Sequence, residues 1–201
     1  MSNKHTPLLL VISAPSGAGK SSLCNRLIEK FPDMIYSISC TTRAPRGNEQ
    51  NGVHYHFLPE AEFCARIDAG DFLEHALVHG NRYGTLKQTV LDALAQGRDI
   101  IMDIDVQGAQ QIRRACAAMT NDDAIKQSFV DIFIAPPSME ELRRRLCGRS
   151  TDSAEVIERR MRNAQEEMKQ QPYYQHTVIN DDFEKAAAEL TAIIVREHHN
   201  R

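Results

Sequence analysis

Hydrophobic and polar positions along the chain fall into two textures. Leu8–Ser13 (LLLVIS) is an unbroken apolar run, the pattern of a strand buried on both faces of a parallel sheet. Comparable runs recur at Asp99–Ile104 (DIIMDI), Phe129–Ile134 (FVDIFI) and His176–Ile179 (HTVI). Each lies beside a stretch with helical spacing: Ser21–Lys30 through Leu23, Leu27 and Ile28, then Gly108–Met119, Ser138–Leu146, Ser153–Lys169 and Asp182–Glu197. Ser138 and Asp182 suit N-caps, where a short side-chain oxygen accepts an orphan backbone N–H. Alternating strands and helices predict an α/β fold with a mainly parallel central sheet.

Between residues 35 and 94 the alternation shortens (YSIS, VHYHF, FLEHALV) and turns become frequent. This predicts a small mixed α+β insertion with antiparallel strands, beside a core of residues 1–34 and 95–201. A basic stretch, Arg143–Arg162, loses helical pattern at Gly148–Asp152, which predicts a mobile arginine-bearing lid at about 146–155. The polar segment Thr120–Lys126 reads as a lengthened loop before Phe129.

Composition narrows the class. With 42% hydrophobic and 25% charged residues the chain resembles an ordinary globular protein, and a net charge of −3 supplies no global attraction to nucleic acid or a membrane. Five cysteines without a C-x-x-C pair argue against a disulfide framework or zinc knuckle and suit a reducing cytosol. The run Pro7–Ile12 is too short to span a bilayer, and the N-terminus lacks the apolar region of a signal peptide, so a cytoplasmic location is expected.

The strongest chemical signal is Ala14–Ser21 (APSGAGKS), which fits G-x-x-x-x-G-K-[ST] except that Ala14 stands for the first glycine. Gly17 and Gly19 let backbone N–H groups turn inward as an anion nest around Pro15, Ser16 and Ala18, and the next helix adds its dipole. Lys20 is placed to reach the β- and γ-phosphates of ATP, and the Ser21 hydroxyl to ligate Mg²⁺. Ala14 is expected to avoid positive φ, leaving the flexibility to Gly17 and Gly19. Asp103 and Asp105 close an apolar strand as D-x-D, on one face and near the metal; the plainer alternative is that one merely caps the following helix.

Arg43 and Arg46 flank Pro45 in SISCTTRAPRGNEQNGVHY (Ser37–Tyr55), with Tyr55 further on. Two guanidinium forks and a phenol hydroxyl make a site for a dianionic phosphate. Solvated arginines in a turn are the plainer reading, weakened by the neighbouring phosphate loop, since phosphoryl transfer needs a second substrate.

These blocks resemble guanylate kinase over nearly the whole chain: SAPSGAGKSSL, SISCTTRAPR with NGVHYHF, FLEHALVHGNRYGT, MDIDVQGAQQIR, IAPPS, RRL-GR and VIND occur in that order. The resemblance implies a P-loop NTPase-type parallel-sheet core, a GMP-binding insertion and a mobile lid. It implies transfer of the γ-phosphoryl of ATP to GMP with Mg²⁺. It further implies that Arg43, Arg46, Tyr55 and Tyr83 hold the GMP phosphate, and that Ser39, Glu74, Thr85 and Asp105 read guanine. Asp103, with Ser21, would lie at Mg²⁺, directly or through water, and Arg145, Arg149 and Arg160 would neutralise charge on the transferring group.

Base chemistry agrees, because a carboxylate such as Glu74 can accept from guanine N1–H and N2–H₂, whereas adenine has an acceptor at N1. Such a mismatch costs roughly 1–3 kcal/mol. By sequence alone Glu74 reads as an exposed strand carboxylate. Ser150, and Gly47-Asn48, depart from the usual family pattern. His54 and His56 alternate in a strand without a third ligand at metal spacing, and Cys40 reads as packing. Asn180-Asp181-Asp182 caps the last helix in the plainer reading, and the resemblance implies that Asn180 or a neighbour touches adenine. Two rivals remain: a non-catalytic binding module on the same fold, and a kinase for another acceptor such as a sugar phosphate. A homo-oligomer is compatible with either.

Overall fold

Strand β1 (Leu9–Ser13) is buried along its whole length, and its side chains divide by parity. Leu8, Leu10 and Ile12 join one apolar cluster and Leu9 and Val11 another, on opposite faces of the sheet. Each such side chain contributes roughly 1.5–3 kcal/mol on burial, which makes this run the axis of the fold. The computed structural model describes residues 6–78, 80–148 and 153–201.

After β1 come α1 (Lys20–Lys30), β2 (Ile35–Tyr36), β3 (Cys40–Thr41), β4 (His56–Phe57), α2 (Glu60–Asp68), β5 (Phe72–Val78), β6 (Asn81–Leu86) and α3 (Lys87–Ala95). The chain continues with β7 (Ile100–Asp103), α4 (Val106–Ala118), α5 (Ala124–Ser128), β8 (Phe129–Ala135), α6 (Met139–Cys147), α7 (Ala154–Met168), β9 (His176–Ile179) and α8 (Phe183–His199). The core sheet runs β2-β7-β1-β8-β9, every pairing parallel. Helices α1 and α8 cover one face; α3, α4 and α5 cover the other. The connection out of β1 runs to one side of it and that out of β7 to the other, the arrangement that opens a crevice at the carboxyl ends of the strands. Among the described residues no helix is long and apolar enough to cross a membrane.

The second sheet runs β4-β3-β6-β5. β6 pairs antiparallel with both β3 and β5, as expected, but β3 and β4 are parallel. The long Thr42–Tyr55 connection lets β4 return in the same direction as β3. The register of β5 slips between Phe72 and Glu74, and this bulge buries Phe72, Leu73 and Glu74 in succession.

Both ends of the expected insertion belong to the core. Ile35 and Tyr36 pair with β7, and α3 buries Val90, Ala93 and Leu94 in the same cluster as Leu9 and Val11. Thr120–Lys126 is likewise more than a loop: Asp123 accepts from the Ile125 and Lys126 N–H groups, starting α5 and driving Ile125 into the core. Ser138 and Asp182 cap α6 and α8 as expected, accepting from the Glu141 and Lys185 N–H groups. α6 and α7 share a small cluster of their own, Leu142, Leu146, Met161 and Ala164. Much of the expected lid between them, including Arg149 and Ser150, lies outside the described residues.

Candidate active site

The loop from β1 to α1 turns through Gly17 (φ 96°) and Gly19 (φ 93°), the left-handed conformations that only glycine adopts without cost. Ala14 packs with Ala18 into the apolar cluster of the α1–α8 face. No side chain caps α1 at Gly19, so its first-turn N–H groups remain for an anion. The Asn180 side chain, after β9, donates to the Ala18 carbonyl at 2.7 Å, and a Cβ on Gly19 would collide with that amide. On the other side a Cβ on Gly17 would come within 2.9 Å of Leu146 in α6. The loop is thus pinned between α6 and the β9–α8 connection.

It opens into a cavity of about 490 Å³, also lined by Tyr36, Ser39, Tyr55, Asp103 and Asp105. Asp103, at the end of β7, is the hub of its polar wall. The carboxylate pairs with the Lys20 ammonium, accepts from the Tyr36 hydroxyl at 2.8 Å and lies 3.4 Å from the Ser21 hydroxyl. Lys20 also donates to the Ile104 carbonyl at 2.8 Å. Asp105 does not extend the strand as expected. β7 stops at Asp103, and Asp105 caps α4 by accepting from the Gly108 N–H at 2.8 Å, yet it still lines the cavity.

A second cavity, about 200 Å³, lies between the two sheets and shares Ser39, Tyr55, Asp103 and Asp105 with the first. Glu74 lies in its wall, 5% exposed. Burial pushes its carboxyl up to about 7, with the Asp105 charge adding to the rise and the Thr85 hydrogen bond opposing it. Thr85 is fully buried and donates its hydroxyl proton to Glu74 at 2.8 Å. Thr85 thereby orients Glu74 from behind the cavity wall, whereas Ser39 lines the cavity itself.

Tyr83 lines the same cavity, its ring 6.0 Å from that of Tyr55. Arg43 stands beside them, 8% exposed, with its guanidinium 5.3 Å from the Tyr55 ring centroid. Hydrogen bonding to Glu49, reinforced by Tyr83, raises the Arg43 pKa and holds it cationic. Arg46 is exposed and lines neither cavity. Arg145 reaches from α6 to Glu141 at 2.7 Å and the Asn180 carbonyl at 2.9 Å, outside the cavity walls. Arg160 sits on α7. Neither Arg145 nor Arg160 lines the cavity that Lys20 faces, and Arg149 lies outside the described residues.

Several contributing contacts carry no signal in the sequence. Tyr36 and Asn180 act through partners 67 and 162 positions away. Glu167 lines the large cavity with one carboxylate oxygen buried and unpartnered. Burial raises its pKa, with Asp105 adding to the shift and the Ser16 amide and Lys20 opposing it. The Ser37 hydroxyl, in the same wall, is also buried without a partner.

Comparison with known proteins agrees with this geometry. A family model described as guanylate kinase matches residues 6–197. A guanylate kinase of Syntrophotalea carbinolica is 48% identical over 96% of this chain and 88% of its own length. Another, of Methylobacillus flagellatus, is 51% identical over 92% of this chain and 87% of its own. The crystal structure of guanylate kinase from Anaplasma phagocytophilum superposes with a TM-score of 0.74 at 32% identity, over 96% of this chain and 87% of that one. With a phosphate loop and a buried carboxylate pocket opening into one cleft, and a match that runs nearly end to end, the chain belongs to the guanylate kinase family.

Proposed function

We propose that the cleft holds ATP and GMP end to end and transfers the γ-phosphoryl between them, giving ADP and GDP. The chain is an ATP:GMP phosphotransferase. The observation that carries the acceptor assignment is Glu74, a buried carboxylate in the wall of a cavity that shares residues with the one at the phosphate loop. Guanine presents N1–H and N2–H₂ to such a group, whereas adenine presents a lone pair.

In the reaction an ionised oxygen of the GMP phosphate attacks the γ-phosphorus, and the bond to the β-bridging oxygen breaks with ADP leaving. The attacking oxygen carries no proton, so no general base is required. Loop amides and Lys20 neutralise the triphosphate, Lys20 exchanging Asp103 for phosphate oxygens. Arg43 and Arg46, with the Tyr55 and Tyr83 hydroxyls, hold the GMP phosphate; Ser39, Glu74 and Asp105 hold the base. Arg145, Arg149 and Arg160 add positive charge around the transferring group; for Arg145 support comes from its place on α6, whose Leu142 and Leu146 lie where a Cβ on Gly17 would stand.

Ser21 and Asp103 fit Mg²⁺. They are hard oxygen donors at adjacent positions, as suits an ion that keeps several waters and binds largely through phosphates. When bound, it would withdraw charge from the phosphate oxygens. A cytoplasmic location is in keeping with the five free thiols. The test is ADP release with GMP, AMP and ribose 5-phosphate as acceptors. Turnover confined to GMP is expected, and none with GMP would end this reading.

A further inference from the structure

Glu49 has no role in the chemistry above, yet it is the main partner of Arg43. Its two oxygens accept from Nη1 and Nη2 of Arg43, each at 2.9 Å, and one also accepts from the Arg46 backbone N–H at 2.8 Å. Nη1 donates in addition to the Ala44 carbonyl at 2.8 Å. Of the donors on a guanidinium, both on Nη1 and one on Nη2 are therefore committed. The second Nη2–H and Nε–H lie side by side along the other edge, on the guanidinium that also interacts with the Tyr83 hydroxyl, at the spacing that grips two oxygens of a phosphate.

We infer that Glu49 is a positioning residue for the acceptor phosphate: it holds the Arg43 guanidinium by its end and leaves the Nε–Nη2 edge for GMP. The inference rests on the reading that Arg43 binds that phosphate. The pair is ionised throughout the neutral range, because Arg43 and the Arg46 N–H hold the Glu49 carboxyl down at about 2. Arg43 is nearly buried, and Glu49 is the more exposed member of the pair. Its bond to the Arg46 amide ties the same carboxylate to the backbone that carries the second arginine. One side chain thus sets the angle of one guanidinium and the start of the other.

A charge argument alone gives the opposite expectation. Glu49 is an anion beside an anion site, so its removal should strengthen attraction for GMP. Positioning predicts the reverse, and steady-state kinetics of Glu49→Gln and Glu49→Asp decide between them. Glu49→Gln keeps the size and loses the charge; Glu49→Asp keeps the charge and shortens the reach. Both are expected to raise KM for GMP, roughly tenfold or more for Glu49→Gln from the usual worth of a hydrogen bond to a charged group. KM for ATP and kcat at saturating GMP should hold, a split that general loosening of the fold does not produce. A lowered or unchanged KM for GMP in Glu49→Gln overturns the inference, as does a wild-type KM in Glu49→Asp. Arg43→Lys is the control. If it raises KM for GMP while Glu49→Gln does not, the Glu49 role alone is wrong. If Arg43→Lys also leaves KM unchanged, the assignment of Arg43 to the phosphate falls, and the inference falls with it.

Discussion

Glu74→Gln should make this protein more stable and a poorer enzyme for GMP. Glu74 is 5% exposed, and burial raises its carboxyl from the ordinary 4.5 to about 7. At about 1.4 kcal/mol per pH unit, this corresponds to about 3 kcal/mol. Between pH 4.5 and about 7 the folded protein keeps a proton that the unfolded chain has released. Stability therefore falls as pH rises through that window, stays depressed above it and is undiminished below it. Glutamine has no charge to desolvate and retains an oxygen for the Thr85 hydroxyl. Urea melts without nucleotide, from pH 4 to pH 8, should show Glu74→Gln gaining on the parent as pH rises, by up to about 3 kcal/mol at the alkaline end. In the same variant the new amide meets guanine N1–H or N2–H₂ donor to donor, and GMP-over-AMP selectivity should drop on the order of ten- to a hundredfold. Parallel stability curves would refute the claim that the carboxylate is held at a desolvation cost, and unchanged selectivity would refute its role in reading guanine.

The other expected outcomes concern the same cleft. A Cβ on Gly108 would stand 2.7 Å from a Glu74 carboxylate oxygen, so Gly108→Ala should raise KM for GMP and leave KM for ATP in place; equal effects on both would point to a general defect. Lys20→Ala removes the ammonium that faces the phosphates and should lower kcat on the order of 10²–10³-fold with the fold intact by circular dichroism. Asp103→Asn should lower kcat and move the Mg²⁺ titration to higher concentration, because it removes the carboxylate next to Ser21. An unshifted titration would take Asp103 out of the metal site.

Legibility in the sequence followed the range of the forces involved. β1, β7 and β8 were readable because both-face burial writes itself as a contiguous apolar run, and α8 because its stripe is long. β2, β3 and β4 span two residues each and have no period to detect. α2 buries only Phe63 of its nine residues, too little for a stripe. The same holds for Glu74, which sits in an alternating strand as a solvent-facing carboxylate should. The bulge at Leu73 turns it inward, and a slip of one residue exchanges the faces of a strand without leaving a mark in its composition.

The phosphate loop shows the division most clearly. Residues that shape its backbone are visible, because left-handed turns at Gly17 and Gly19 demand a residue without a Cβ. Residues that hold the shape are invisible. Asn180 lies 162 positions from the Ala18 carbonyl it binds, and its chemistry is that of any asparagine in a turn. The loss of the first glycine follows the same logic. Ala14 follows directly on the last residue of β1, and its methyl group packs into the cluster that contains Ile12 and Ala18. A glycine there would forfeit that contact and add freedom to the unfolded chain. The tolerance for alanine is therefore a property of the packing beneath the loop, and the anion nest depends on the two glycines that actually turn.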